Sequence, residues 1–299
     1  MQLLTNFDAV IDKLAARHTP ARVAVVCPHD SHTSEAVTEA ARRGIARFIL
    51  IGDPSREHFP SIAGAETIVE PDADRAAALA VAMAREGKTD VIMKGLINTD
   101  NLLRAVLNRE TGILCPGAVL THITAAEIPG HDKLLFFSDA AVIPFPDSKQ
   151  LEAMTRGLID LCRRMGIEQP RVALIHCSEK SSPKFPVTES YSELKRRCTE
   201  GAFGNAIVDG PMDLKTAVDA ESAVIKGIDS PVAGKADALV FPDIEAGNVF
   251  YKTIVWLGHG TNAGIISGAK VPVVLPSRSD STHSKLCSLA LAATAATGC

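Results

Sequence analysis

RVAVVCPHDSHTSEAVTEAARRG, Arg22 to Gly44, carries the pattern on which the fold turns. Arg22–Cys27 is a short apolar run that reads as a buried strand. Small polar residues follow, and Glu35–Arg43 then reads as a helix stopped by Gly44. The couple repeats downstream. Arg47–Ile51 is a second strand, closed by Gly52-Asp53-Pro54, and Asp74–Arg85 is an alanine-rich helix. Asp90–Lys94 is a strand closed by Gly95, and Thr99–Leu107 is another helix. Short apolar runs alternating with helices predict a mostly parallel sheet covered on both faces. Two further apolar runs, Ala118–Ile123 and Leu134–Phe137, follow.

Around Val142–Asp147 (VIPFPD) two prolines break the pattern, and Lys149–Met165 reads as a long helix, so a domain boundary is expected there. A second alternation begins with strand Val172–His176, helix Glu189–Arg197 and strand Ala206–Val208. Strand Ala238–Phe241, helix Asn248–Leu257, strands Ala263–Ile266 and Val271–Leu275, and helix Ser281–Ala296 complete it. There is no internal repeat and no low-complexity segment.

Composition narrows the function. A chain of 299 residues, 46% hydrophobic, can build one large or two ordinary domains. A net charge of −4 with no basic run argues against nucleic acid as a partner. The N-terminal MQLLTNFDAVIDKLAARH mixes apolar and charged residues at helical spacing, unlike a secretion signal. No run approaches the ~18 uncharged apolar residues of a membrane span. The seven cysteines, at 27, 115, 162, 177, 198, 287 and 299, show no CxxC spacing and argue for reduced thiols in the cytoplasm.

In open α/β sheets ligands bind beyond the carboxyl ends of the strands. Four strand ends are rich in polar residues. Met93–Leu107 (MKGLINTDNLLRAVL) offers Lys94, a turn glycine, Asn98 or Thr99 as a helix cap, and Arg104. Val240–Lys252 (VFPDIEAGNVFYK) crowds Asp243, Glu245, Gly247 and Asn248, too few oxygens for a hard cation. Val25–Glu35 gathers Cys27, His29, Asp30 and His32; zinc is the sharper reading, and helix capping by Asp30, Ser31 or Thr33 the favoured one. Lys270–Leu286 (KVPVVLPSRSDSTHSKL) sets hydroxyls, Arg278 and His283 where a strand passes into a helix, a natural anion site. Nucleotide motifs are lacking. GHGTNAG, Gly258–Gly264, misses the dinucleotide spacing, and DSPVAGKA, Asp229–Ala236, lacks the first glycine and the Ser/Thr of a P-loop.

Three segments occur together and in order: KG-x-x-x-T-x-x-LLRAVL (Lys94–Leu107), PD-x-x-x-GN-x-x-YK (Pro242–Lys252) and PSR-x-x-S (Pro276–Ser281). With DGPMDLKTAVD (Asp209–Asp219), they make the sequence resemble the phosphate acetyl/butyryltransferases over nearly its whole length, closer to the butyryl branch. The resemblance implies reversible transfer of an acyl group between coenzyme A and phosphate, with coenzyme A as substrate and no permanently bound cofactor or metal. It also implies an isocitrate/isopropylmalate dehydrogenase-like fold of two α/β domains, with the site in the cleft, and a homodimer or larger assembly. The domains expected are 1–142 with 270–299, and 143–269. Matched residues are Ser277 for the carbonyl or oxyanion, Arg278 for phosphate, and Arg104 as a second phosphate contact. Thr99, Lys94 and Ser281 fall in the same motifs, and Gly247 and Asn248 would line the cleft.

The chain departs from the family pattern twice. The acetyltransferases place an aspartate, the implied base, six positions after the arginine, and here that position is Ser284. Asp280 and His283 are the substitutes, with Asp280 preferred. Where those relatives carry a CoA-binding arginine, this chain has Trp256, which either stacks adenine or, preferably, packs in the core. The competing functions are an NAD- and metal-dependent dehydrogenase of the same architecture and an inactive regulator binding coenzyme A or phosphate.

Overall fold

The computed structural model describes residues 3–296. The chain forms two compact units. One contains Asn6–Leu120 and the chain from Asn262 onward; the other contains Thr121–Thr261.

The first unit opens with α1 (Phe7–Ala15), β1 (Ala21–Val26), α2 (Ser31–Arg42), β2 (Ala46–Gly52) and β3 (Glu66–Val69). It continues with α3 (Ala73–Arg85), β4 (Val91–Lys94) and α4 (Thr99–Val106). The second unit holds β5 (Thr121–Glu127), β6 (Leu135–Ser138), α5 (Ser148–Arg164), β7 (Arg171–Ile175), α6 (Val187–Thr199) and β8 (Ile207–Met212). It ends with α7 (Leu214–Val218), α8 (Ala220–Ile225), β9 (Ala238–Val240) and α9 (Ile244–Trp256). Then β10 (Thr261–Ser267), β11 (Val273–Val274) and α10 (Thr282–Ala295) return the chain to the first unit.

Strands of the first unit lie in the order β3-β2-β1-β4-β11-β10, parallel except for the β10–β11 pair. Those of the second run β5-β6-β9-β7-β8, with only β5 antiparallel to its neighbour. β1 is buried from Val23 to Val26, as its unbroken apolar run predicts. α3 packs on β1, β2 and β4 through Ala76, Ala77, Ala80 and Ala84, small enough to bring helix and sheet close. α10 packs against α1 and α2 and is buried on every side from Lys285 to Thr294, as a helix apolar around its whole circumference should be.

Carboxylates and hydroxyls start the helices. Asp30, Asp72, Asp243 and Ser281 cap α2, α3, α9 and α10, and Asp147 with Gln150 forms a capping box on α5.

Several expectations need correction. The boundary at 142 placed β5 and β6 in the first domain. β6 instead pairs with β9, which pairs with β7, so backbone hydrogen bonds tie the segment before the prolines to the second unit. The return to the first unit falls at Asn262, not at 270, because β10 pairs with β11. The strand expected over Val271–Leu275 shrinks to Val273–Val274, since Pro272 and Pro276 cannot donate to a ladder. β3, α7 and α8 had no expectation at all; β3 is largely exposed, and its two adjacent apolar residues, Ile68 and Val69, are too short a run to mark a strand. Trp256 is 80% exposed and not in the core. The buried face of α9 carries Gly247 and Ile254, and nine residues from Gly247 is about half a turn away from that face. Finally, Cys27, Cys162, Cys177, Cys198 and Cys287 are free thiols. Cys299 lies outside the described residues.

Candidate active site

In the first unit, the carboxyl ends of β1, β4 and β11 lead towards the N-termini of α2, α4 and α10. The ends of β1 and β4 are pressed together: a Cβ at Gly95 would stand 2.3 Å from the Cys27 carbonyl oxygen, so only glycine fits. Burial pushes the Cys27 thiol up to about 11, which makes it packing and not a nucleophile.

Lys94, the last residue of β4, is 4% exposed. Its Nζ donates to the carbonyls of Gly95 and Ile97, each at 3.2 Å. Its pKa is held below the ordinary lysine value, first by burial and then by the cations Lys285 and Arg278, with Asp30 and Asp280 opposing. A protonated Lys94 therefore sits in a field that an anion would relieve.

Arg278 reaches α4. Its Nη2 donates to Oδ1 of Asn98 at 3.2 Å. Asn98 is the N-cap residue of α4, yet its side chain makes no capping bond to its own helix. The first turn of α4 is left without a side-chain cap, beside a guanidinium and near a buried ammonium. Uncapped N–H groups, the helix dipole and two cations together favour an anion.

The Ser277–Asp280 turn is closed from both sides. Ser277 N donates to Asp280 Oδ2 at 2.8 Å, and Asp280 N donates to the Ser277 carbonyl at 3.2 Å. Ser277 Oγ lies 3.0 Å from Ser279 Oγ. Ser281 caps α10 by accepting from Ser284 N at 3.1 Å. Ser284 Oγ donates to the carbonyl of Asn262 at 2.8 Å, so its hydroxyl is committed to the backbone. His283 is exposed, with Nε2 3.6 Å from Cys287 Sγ. Thr99 and Arg104 are exposed on α4, Thr99 at its start and Arg104 in its last turn, at the opposite end from the Arg278–Asn98 contact.

Two participants escaped the sequence reading. Asn98 was weighed only as a cap. Lys285, 2% exposed, donates to Asp30 Oδ1 at 2.8 Å and Thr33 Oγ1 at 3.0 Å, joining the starts of α10 and α2. One signal was available: a lone lysine heads an otherwise apolar, fully buried helix. Burial alone would raise the Asp30 pKa, but hydrogen bonds from Lys285 and Thr33 outweigh it and hold the carboxylate below its usual range. Asp30 caps α2 through Thr33 N at 2.9 Å, as the favoured reading of that segment held. The zinc reading finds no support among the described residues, where no suitable group of His, Cys, Asp and Glu occurs. His29 Nε2 accepts instead from Asp53 N at 3.2 Å, and His32 Nδ1 lies 3.1 Å from Thr282 Oγ1.

Gly247 and Asn248 belong to the second unit. A Cβ at Gly247 would stand 2.0 Å from the carbonyl oxygen of Asp139, so the glycine permits a backbone contact. Asn248 Nδ2 donates to the Ala140 carbonyl at 3.0 Å, which anchors α9 to the loop after β6. The Asp139 carboxylate, 1% exposed, accepts from the backbone N–H groups of His122, Ala141 and Val142.

An α/β fold with cations, hydroxyls and an uncapped helix start at its strand ends has the features that favour an anion. The comparisons with known proteins give the family. The family model described as "Phosphate acetyl/butaryl transferase" matches residues 61–293. A phosphate butyryltransferase of Clostridium acetobutylicum is 38% identical, over 97% of this chain and 98% of its own. A phosphate acetyltransferase of Rhizobium meliloti is 36% identical, over 97% of this chain and 93% of its own. Among solved structures, a branched-chain phosphotransacylase from Enterococcus faecalis aligns with a TM-score of 0.84 at 28% identity, covering 93% of this chain and all of that one. The chain belongs to the phosphate acetyl/butyryltransferase family and is an acyltransferase.

Proposed function

We propose that this phosphate acyltransferase moves a short acyl group directly between coenzyme A and inorganic phosphate, without an acyl-enzyme. In the thiolysis direction the CoA sulfur attacks the carbonyl carbon of the acyl phosphate. A C–S bond forms, the carbonyl oxygen takes the negative charge, and the C–O bond to phosphate then breaks. The thiol is mostly protonated at neutral pH, so its proton passes to a base as attack begins.

Ser277 Oγ donates a hydrogen bond to the developing oxyanion. Arg278 grips the phosphate, because a planar guanidinium offers two parallel donors. Lys94 adds buried positive charge, and Thr99, Ser281 and Arg104 extend the polar lining. In the second unit, Gly247 and Asn248 hold the start of α9 against the loop after β6. The base is Asp280 or His283. Each has one acceptor left: Asp280 Oδ1, since Oδ2 is held by Ser277 N, and His283 Nδ1, since Nε2 faces Cys287. The reading rests above all on Arg278 bonding Asn98 at the uncapped start of α4 beside buried Lys94.

Coenzyme A and phosphate are then substrates, with no resident cofactor, and the enzyme works in the cytoplasm as a homodimer or larger assembly. The exposed Val249, Trp256 and Leu257 along α9 support assembly, since exposed apolar surface marks interaction sites. Light scattering tests it, and a mass equal to one chain would refute it. No helix among the described residues is long and apolar enough to cross a membrane.

The activity is tested by phosphate-dependent release of CoA thiol from acetyl-, propionyl- and butyryl-CoA. Release is expected to need phosphate. Thiol release at the same rate without phosphate, or none with any of the three, would overturn the reading.

A further inference from the structure

The second unit contains a cavity of about 800 Å³ at the carboxyl ends of β7 and β9, within the range that holds small-molecule ligands. Ile175, Val187 and three phenyl rings wall it. Phe241 is buried just after β9 and packs edge-on against Phe137, at 5.9 Å between ring centres. Phe145 and Phe185 are 76% and 45% exposed, so two aromatic side chains meet water at one cavity. Most polar groups there are committed. The Asp243 carboxylate accepts from Ala246 N at 2.7 Å, and Ser190 Oγ is 2.8 Å from Ser148 Oγ. Lys184 and Asp243 bring opposite charges, so the lining as a whole calls for no charged ligand.

His176 is different. It is 7% exposed, and its Nε2 is buried with no hydrogen-bond partner among the described residues. Its Nδ1 accepts from Ser178 N at 3.2 Å, and lies 3.1 Å from the Ser178 carbonyl oxygen and 3.9 Å from Cys177 Sγ. The hydrogen on Ser178 N is fixed by the backbone and makes Nδ1 an acceptor, which puts the ring hydrogen on Nε2. Phe185 packs edge-on against the imidazole at 4.7 Å between ring centres. The cavity wall therefore carries one neutral donor, set among aromatic rings. Left unpaired, that donor costs stability.

A carboxylate desolvated against a single neutral donor would be poorly repaid, whereas a ring nitrogen or carbonyl matches it. Phenyl walls add stacked and edge-to-face contacts to a flat ring, beyond the area buried, and give no such gain to an aliphatic chain. We infer that this cavity binds a flat aromatic ring bearing an uncharged hydrogen-bond acceptor, to which His176 Nε2 donates. The site belongs to the second unit alone and does not depend on the acyltransfer reading. A free heteroaromatic compound and the adenine of coenzyme A both offer such a ring.

Cys177, an exposed free thiol at the same cavity, reports occupancy without turnover. The full-length protein is alkylated with N-ethylmaleimide, and the rate at Cys177 is followed by peptide mass spectrometry. Quinoline and naphthalene serve as protectants, since they share a shape and only quinoline has an acceptor. Both are expected to protect the wild type. In a folded His176→Phe variant, the half-protecting concentration of quinoline relative to that of naphthalene should rise about tenfold, the scale of one buried hydrogen bond. An unchanged ratio, or no protection of the wild type by quinoline up to its solubility limit, would overturn the inference. Ala246→Trp keeps His176 and fills the cavity from α9. Protection by both rings should be lost there, and undiminished protection would refute the cavity as the site.

Coenzyme A and pantetheine, compared in the same assay, separate the sources of the ring. Protection by coenzyme A but not by pantetheine supports the inference and assigns the ring to adenine. Protection by quinoline and by neither of them supports it for a free ring compound distinct from the substrates. Pantetheine protecting as well as coenzyme A would place an aliphatic arm in the cavity and overturn the ring assignment. Loss of the acyltransfer reading, through absent phosphate-dependent thiol release, would leave each of these outcomes unchanged.

Discussion

Arg278 is the residue on which the phosphate assignment stands. Arg278→Ala should cost ~3–4 kcal/mol of transition-state stabilisation, the scale of losing one oxyanion-type donor, read as a 10²–10³-fold loss in kcat/KM. Asn98→Ala leaves the guanidinium in place but removes its hydrogen bond. A positioning role predicts a loss of ~1 kcal/mol, seen mainly in KM for phosphate. If Arg278→Ala turns over normally, phosphate binds elsewhere. The base is separated by comparing Asp280→Asn with His283→Gln. Asparagine keeps an acceptor for Ser277 N and so preserves the turn, while removing basicity. A fall in kcat of about 10²–10⁴ in one variant, with KM for phosphate unmoved, marks that residue as the base. Ser277 and Arg278 were picked out by the ordered motifs, and Asp280 and His283 as substitutes for an acid at position 284. Asn98 was not, because whether a cap residue serves its own helix or a distant arginine depends on geometry that spacing does not encode.

Among the elements, the junction of α2 and α10 carries the clearest energetic consequence. Lys285 is nearly fully buried and its charge is balanced by Asp30. Removing one member of a buried pair strands the other, at a cost of ~3–5 kcal/mol. Asp30 is partly exposed, so Lys285→Met should lose about 3 kcal/mol in urea unfolding at pH 7, the lower end of that range. The pH dependence has a definite sign. The folded-state pKa of Asp30 lies below its unfolded value of 3.8. Its contribution is therefore present above pH 3.8 and is lost as pH falls through the depressed folded value. The gap between wild type and Lys285→Met should narrow below pH 3.8, and a gap independent of pH would refute the pairing. The helices around this junction were readable because Asp30 and Ser281 are cap residues before regular patterns. β3 was not, since an exposed strand paired to β2 alone needs no apolar run. Lys285 was hidden because a helix pattern shows a lysine's position, not whether its head is in water.

On the scale of the whole molecule, a two-unit α/β organisation follows from the alternation of runs and helices, but its boundary does not. Pro144 and Pro146 look like a linker from the sequence, yet the hydrogen-bond partners of β6 decide membership, and those are distant in the chain. Trp256 shows the same limit, since composition favours a buried tryptophan and helix phase exposes it. Substrate linkage tests the molecule without relying on turnover. A ligand bound only by the folded chain stabilises it by RT ln(1 + [L]/Kd), about 2.7 kcal/mol at one hundred times Kd. Saturating phosphate and saturating coenzyme A should each raise the first thermal transition by several degrees. Arg278→Ala should abolish the phosphate shift and keep the coenzyme A shift, because only the phosphate grip is removed. If the variant keeps both shifts, Arg278 is not the phosphate ligand. If the wild type shows both shifts but releases no thiol from any acyl-CoA, the chain binds its ligands without transferring the acyl group. Position 284, a serine whose hydroxyl is held by the Asn262 carbonyl, would then supply no base.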